Sequence, residues 1–140
     1  MKWSHAVLPL VLLSGSSVSA PAEEPLACNL NALSAPQRER HQALGEKIRA
    51  AVVDRAELAN GYALVLDLTR LPLDRAGARF CIVEVAEWVD MEAKCCPFLD
   101  FGIAVAGKGG PVTLRLTGGK NVKAFLKNEL GLTEGRRGLP

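Results

Sequence analysis

The chain has 140 residues, of which 17 are Lys or Arg and 15 are Asp or Glu, so its formal net charge at pH 7 is +2. This nearly balanced charge gives no electrostatic basis for binding nucleic acid or an anionic membrane surface, and we expect neither as a partner of the mature protein. The 4 cysteines are enough for two disulfides, a thiolate metal site or a thiol redox pair.

Residues 1–20 are typical of a secretory signal peptide. Lys2 lies in a short polar start, residues 6–13 form an apolar run, and Val18-Ser19-Ala20 is a small-residue cleavage pattern. The apolar run is too short to span a bilayer. We therefore predict a periplasmic or secreted protein, with a buried N-terminal helix as the alternative. Cysteines of exported proteins are usually bridged, which favours disulfides here.

After a linker at residues 21–25, we predict a single α+β domain over residues 26–132 and a flexible tail over residues 133–140. The predicted element order is strand, helix, strand, helix, β-hairpin, helix. Because most strands alternate apolar and polar residues, we predict a small antiparallel sheet of about four strands, covered by three helices on one face.

The first half of the domain is predicted from alternation and helix-start signals. Residues 26–30 alternate and predict a short strand with Cys28 facing inward. Ser34, followed by Ala35 and Pro36, is a typical helix start, and apolar spacing extends the predicted helix from residue 36 to about 57. A turn follows at Asn60-Gly61, before a strand over residues 62–69.

The second half begins with a loop over residues 71–79. A helix is predicted from residue 82 to about 96, where Pro97 must end it. Alternating strands at residues 99–105 and 112–116 form a hairpin, and a last helix over residues 122–130 is closed by Gly131.

Glu92 is an acidic residue on the apolar side of the second predicted helix. At about 100° per residue it falls between Val85 and Trp88, and Cys95 and Cys96 lie one turn further along on either side of that direction. A carboxylate there must be hydrogen-bonded, paired or protonated. The alternative is that its side chain reaches water at the edge of this face.

The adjacent Cys95 and Cys96 are predicted to point about 100° apart on the helix, so that both do not face the same core. A bond between them is disfavoured, because neighbouring Cα atoms are about 3.8 Å apart and disulfides usually need about 4.4–6.8 Å. Each thiol is therefore expected to have its own partner, for which Cys28 and Cys81 are the candidates.

Three functions remain open for this cluster. Cys28 bonded to Cys95 or Cys96 would give a non-catalytic interaction or structural domain held by a disulfide. Alternatively, Cys28, Cys95 and Cys96 bind a soft metal or metalloid ion as thiolates, and Glu92, which does not itself bind the ion, acts as a base that helps deprotonate a thiol. A catalytic thiol-disulfide pair is the third, although no Cys-x-x-Cys is present. The working hypothesis is the metal site, with no catalytic residue.

His41 is a further potential ligand, but its position early in the first predicted helix favours an exposed side chain. Zinc is not favoured either, because no second Cys/His pair has the spacing of a zinc finger or ribbon.

The chain resembles a family of small, largely uncharacterised bacterial proteins. The resemblance covers roughly residues 26–132 and is most specific in Glu92-x-x-Cys95-Cys96-Pro97-Phe98. It continues in Ala27-Cys28-Asn29-Leu30, Gly61-Tyr62 and the segments 111–118 and 122–126. Some related domains are associated with metal-responsive regulators of the mercury-resistance type. The resemblance thus implies a thiol-based metal role, whereas Cys81, the loop before it and the export signal depart from the pattern.

Overall fold

A computed structural model describes residues 25–131 of the chain. The predicted signal peptide, residues 21–24 of the predicted linker and the predicted tail lie outside the described residues. The described elements, apart from two short 3-10 helices, are in chain order α1 (Ala35–Ala51), β1 (Val52–Leu58), β2 (Gly61–Leu66), α2 (Ile82–Cys95), β3 (Leu99–Val105), β4 (Val112–Gly118) and α3 (Val122–Glu129).

The four strands form one sheet in the order β1-β2-β4-β3, and all neighbouring pairs are antiparallel. The predicted α+β class, with a four-stranded antiparallel sheet and three helices, is confirmed. The predicted hairpin corresponds to β3 and β4, whose register pairs Ile103 with Leu114. Leu114 in turn pairs with Leu64 of β2, so the three side chains form a row on the face of the sheet that the helices cover at Leu64 and Leu114, while Ile103 at its end is exposed.

The core lies between that face of the sheet and the helices. The central strands β2 and β4 contribute alternate residues, because successive side chains on a strand point to opposite faces. Burying these side chains against the helices supplies the main hydrophobic stabilisation of the domain. The most buried side chains include Leu66, Leu114 and Leu116 from the sheet and Leu44, Val85 and Val122 from the helices.

Helices α1 and α2 run antiparallel and are joined by charged side chains. The Arg40 guanidinium donates two hydrogen bonds to the Glu87 carboxylate, at 2.9 and 2.7 Å, and the Lys47 ammonium donates to Glu84 at 3.0 Å. Gly45 makes room for Trp88, since a Cβ at this glycine would lie 3.3 Å from the indole nitrogen. This alignment brings the start of α1 beside the end of α2, where the cysteines lie.

The first predicted helix is wrong at its C-terminal end. The helix predicted to reach residue 57 ends at Ala51, and β1 starts at Val52 without an intervening loop. The β-branched pair Val52-Val53 favours a strand, but the segment has no Gly or Pro to mark the change. The start of α1 is as predicted, because Ser34 and Gln37 form a capping box.

Residues 26–30 do not form the predicted strand, and a 3-10 helix over Leu30–Ala32 follows instead. The Asn29 side chain accepts a hydrogen bond from the Asn31 N–H, and the Asn29 N–H donates to the carbonyl of Cys95 at 2.7 Å. The segment is therefore bound to the end of α2 and not to the sheet.

Within residues 25–131, none of the helices combines the length and the apolar composition that crossing a membrane requires.

Candidate metal centre

Helix α2 ends at the vicinal cysteines, and its ending changes where they point. Cys95 is the last helical residue, and Cys96 has φ −123° and ψ 69°, while its N–H still donates to the Glu92 carbonyl at 2.7 Å. Pro97 accounts for this stop, since it disfavours helical geometry in the residue before it. Because Cys96 has left the helix, both side chains are buried, at 1% and 0% exposure. The prediction that they do not face the same core is wrong.

Cys28 and Cys96 form a disulfide with a Cα–Cα distance of 4.6 Å across a sequence separation of 68. This is one of the two pairings that the sequence left open for Cys28. Cys95 stays a free, buried thiol, and its sulfur lies 3.9 Å from that of Cys96 without a bond. Cys81 is also free, but it is exposed at the start of α2, about 20 Å from Cys95 along the helix. It is thus not a partner of the vicinal pair.

The Glu92 carboxylate lies at the centre of this group, and its side chain is 15% exposed. Its Oε1 is 3.3 Å from the sulfur of Cys96, and its Oε2 is 3.8 Å from the sulfur of Cys95. The disulfide-bonded Cys96 has no proton to donate, so the first contact becomes a hydrogen bond only after reduction. The predicted position of Glu92 near both cysteines is confirmed.

His41 is the residue that the sequence prediction misjudged. Its Nε2 is hydrogen-bonded to Oε2 of Glu92, and its side chain is only 16% exposed. The imidazole also stacks on Trp88, with ring centroids 5.7 Å apart and planes 13° apart. A sequence signal for this existed, because His41 precedes the buried Leu44 and Ile48 by three and seven residues, which is the spacing of one helix face.

The Cys95 thiol is held in its protonated form. Burial, followed by the negative charge of Glu92, raises the pKa of Cys95 to about 11. Its sulfur also lies 3.5 Å from the Glu92 backbone carbonyl, an acceptor for the thiol proton. At neutral pH this thiol is therefore a poor nucleophile in the protein as described.

Among the described residues, two overlapping groups of three potential ligand side chains lie close together, and the one that contains Cys28 and Cys96 offers thiolates only after the disulfide is reduced. Cys28, Glu92 and Cys96 form one group, and His41, Glu92 and Cys95 form the other, with all ligand atoms in each group within 4.8 Å of one another. The sequence-predicted residues Cys28, Glu92, Cys95 and Cys96 thus lie together. The chemistry available at this point is ion binding by sulfur, carboxylate and imidazole, or exchange between a thiol and a disulfide.

Comparison with protein-family models, with curated proteins and with solved structures finds no match to this chain.

Proposed function

We propose that this protein binds a soft metal or metalloid ion through the thiolates of Cys28, Cys95 and Cys96 once the Cys28–Cys96 disulfide is reduced. The observation that carries the proposal is the convergence of three sulfurs. The Cys96 sulfur is bonded to that of Cys28 and lies 3.9 Å from that of Cys95. Soft ions such as copper(I), mercury(II) and arsenic(III) prefer thiolate ligands over oxygen ligands.

The three sulfurs are expected to stay close after reduction. Cys95 and Cys96 are adjacent at the end of α2, and the residue after Cys28 donates a backbone hydrogen bond of 2.7 Å to the Cys95 carbonyl. That bond joins two backbone atoms, so reduction of the disulfide removes neither of its partners. A site whose ligands are already gathered loses less conformational entropy on binding than one assembled from a flexible chain.

Glu92 has a chemical role in the reduced state. Its Oε1, 3.3 Å from the Cys96 sulfur, is placed to accept a hydrogen bond from the reduced Cys96 thiol and to take up its proton as an ion binds the sulfur. A thiol must lose its proton to become a metal ligand. Glu92 is therefore the proton acceptor beside the sulfurs and not itself a required ligand.

Reduction needs an external reductant, which we take to be a dithiol. The dithiol gives two hydrogen atoms to the sulfurs of Cys28 and Cys96 as the bond between them breaks, and it becomes a disulfide itself. Binding then needs no further redox step: arsenous acid, for example, forms three As–S bonds and releases three molecules of water. The Cys28–Cys96 disulfide also supports the proposed periplasmic or secreted location.

Two further arguments bear on this choice of function. The resemblance of the Glu92-to-Phe98 segment to proteins associated with mercury-type regulators favours the same thiol chemistry. The disulfide favours the main alternative, a domain in which Cys28–Cys96 only fixes the N-terminal segment to α2. In that alternative, Cys95 contributes packing and no binding.

The test is a titration of the reduced chain with arsenite under anaerobic conditions, with glutathione as competitor. We expect one arsenic per chain by native mass spectrometry. Replacing any one of the three ligands, as in Cys28→Ser, Cys95→Ser or Cys96→Ser, should weaken binding at least about tenfold. Cys81→Ser is the matched control and should bind as the natural protein does, since Cys81 is exposed and distant from the site.

A purely structural disulfide gives the opposite pattern. The reduced chain would then bind arsenite no more tightly than glutathione does, and Cys95→Ser would leave its affinity for arsenite unchanged. Either result would rule out the three-thiolate site.

A further inference from the structure

We propose that, in the disulfide-bonded form, His41, Glu92 and Cys95 bind a borderline divalent cation such as Zn²⁺. This site lies beyond the soft-ion function proposed above and does not rest on it. It uses the state in which Cys28 and Cys96 are bonded to each other, and it requires an imidazole that the soft-ion site does not use.

The positions of the donor atoms fit one ion with small movements. The Cys95 sulfur is 3.8 Å from Oε2 of Glu92, the same oxygen is hydrogen-bonded to Nε2 of His41, and all three ligand atoms lie within 4.8 Å of one another. Ligand atoms on one tetrahedral zinc, at about 2.0–2.3 Å from it, are separated by about 3.3–3.6 Å. The cation therefore replaces the hydrogen bond between His41 and Glu92 with two coordinate bonds.

The mixture of donors selects the class of ion. Disulfide formation removes the thiolates of Cys28 and Cys96 from the list of ligands and leaves one nitrogen, one carboxylate oxygen and one sulfur. Imidazole and thiolate together suit zinc, and a set of three protein ligands leaves a fourth position for water. Magnesium and calcium prefer oxygen ligands alone and fit poorly.

The surroundings of Cys95 also favour a cation. The buried Cys95 sulfur lies 3.8 Å from the same Glu92 oxygen that is hydrogen-bonded to His41. A divalent cation bound between these groups attracts the carboxylate, and a coordinating thiol is deprotonated. The Cys95 thiolate, the Glu92 carboxylate and the His41 imidazole then bind one common ion.

The site has both support and access. His41 is oriented by stacking on Trp88, and α1 is held against α2 by the Arg40–Glu87 pair. The side chains of His41 and Glu92 remain 16% and 15% exposed, so an ion can reach them from solvent, whereas Cys95 closes the site from the protein interior. Ligands held in this way by neighbouring groups bind metal more tightly.

The experiment uses the full chain without an added histidine tag, with the disulfide verified by intact mass after alkylation. Co²⁺ is the spectroscopic probe and Zn²⁺ competes with it. We expect one ion per chain, with a thiolate-to-cobalt charge-transfer band and the d–d spectrum of tetrahedral cobalt. Cys95→Ser should abolish the charge-transfer band, and His41→Ala should weaken Zn²⁺ binding at least about tenfold. His41→Gln, which keeps a polar partner for Glu92, should weaken it as well.

Controls separate this site from the soft-ion site. Cys81→Ser should bind Co²⁺ unchanged, and His41→Gln should still bind arsenite after reduction. Absence of Co²⁺ and Zn²⁺ binding by the folded, disulfide-bonded chain would overturn this inference and leave the soft-ion function standing. Binding that survives His41→Ala and His41→Gln would also overturn it. Failure of the soft-ion function would be seen separately, as the absence of arsenite binding by the reduced chain.

Discussion

At the residue scale, the central feature of the candidate site is the Glu92 carboxylate, which three neighbouring side chains contact. Glu92 contacts the Cys95 sulfur, the Cys96 sulfur and the His41 imidazole at once. A charged group that is mostly removed from water costs free energy unless it is paired or hydrogen-bonded. His41 supplies that partner in the disulfide-bonded form, where Cys96 has no proton to offer. The same contacts make Glu92 common to both proposed ion sites.

Removing His41 should therefore destabilise the metal-free protein. We expect His41→Ala to lower the free energy of unfolding by about 1–3 kcal/mol in urea denaturation with chelator present, because it leaves a mostly buried carboxylate without its imidazole partner. The exposed neighbour Gln42→Ala is the control for loss of a side chain from this turn of α1. In a Glu92→Gln background, His41→Ala should cost less. An equal cost in both backgrounds would show that the two residues are not coupled.

The Cys95 thiol should react slowly and with a distinctive pH dependence. Because burial and Glu92 raise the pKa of Cys95 to about 11, its alkylation by iodoacetamide should accelerate by about tenfold per pH unit towards that value. Exposed Cys81 in the same molecule is the internal reference. Peptide mass spectrometry after timed quenching follows both rates. Alkylation of Cys95 at the rate of Cys81 near neutral pH would contradict the buried, protonated thiol.

At the element scale, proline and glycine signals in the sequence predicted the structure correctly where local chemistry decides it. Pro97 stops α2 at Cys95, and the glycine-rich turn after β3 produces the predicted hairpin. The transition from α1 to β1 was missed because Ala51 and Val52 adjoin without a turn signal. Pairing of β1 with β2 is a tertiary interaction, and it overrides the helical spacing that continues past Ala51.

Gly61 connects β2 to its neighbour by a close backbone approach. A Cβ at this position would lie 2.0 Å from the carbonyl oxygen of Leu116 in β4, a contact that only displacement of the strands relieves. Gly61→Ala should thus cost about 2–3 kcal/mol of unfolding free energy in urea denaturation. Gly119→Ala is the matched control, since no atom lies within 4 Å of its added carbon. Equal stability of the two variants would show that the strands adjust freely.

The candidate site was only partly predictable. The Glu92 position and the vicinal cysteines follow from helix spacing and the proline, and Cys28 was an open alternative as the disulfide partner. The burial of both Cys95 and Cys96 was not predictable, because it depends on Cys96 leaving helical geometry. His41 comes from a different helix, and its contact with Glu92 requires the α1–α2 alignment, which the sequence does not encode locally.

At the scale of the whole molecule, the disulfide joins the start of the described domain to the end of its central helix. It spans 68 positions, and closing a loop of this length restricts the unfolded chain considerably. Reduction, or Cys28→Ser, should lower the free energy of unfolding by about 2–4 kcal/mol in chemical denaturation. Cys81→Ser should change it little, because Cys81 is exposed and unbridged. Equal stability with and without the disulfide would show that the Cys28 segment contributes nothing to the fold.

The two proposed ion sites follow from the two states of this disulfide. Oxidised, the molecule presents an imidazole, a carboxylate and one thiol. For the reduced molecule we expect three thiols near one another, held by the end of α2 and by the Asn29 hydrogen bond. Under these two proposals, the redox state of the disulfide determines which class of ion the region binds.

The central claim is that three sulfurs from Cys28, Cys95 and Cys96 meet on one soft ion. X-ray absorption at the arsenic edge of the reduced, arsenite-loaded chain measures this directly. Our account predicts an arsenic shell of three sulfurs, and loss of one sulfur in the Cys95→Ser variant. A shell of one or two sulfurs completed by oxygen in the natural protein, or a shell unchanged by Cys95→Ser, would contradict it.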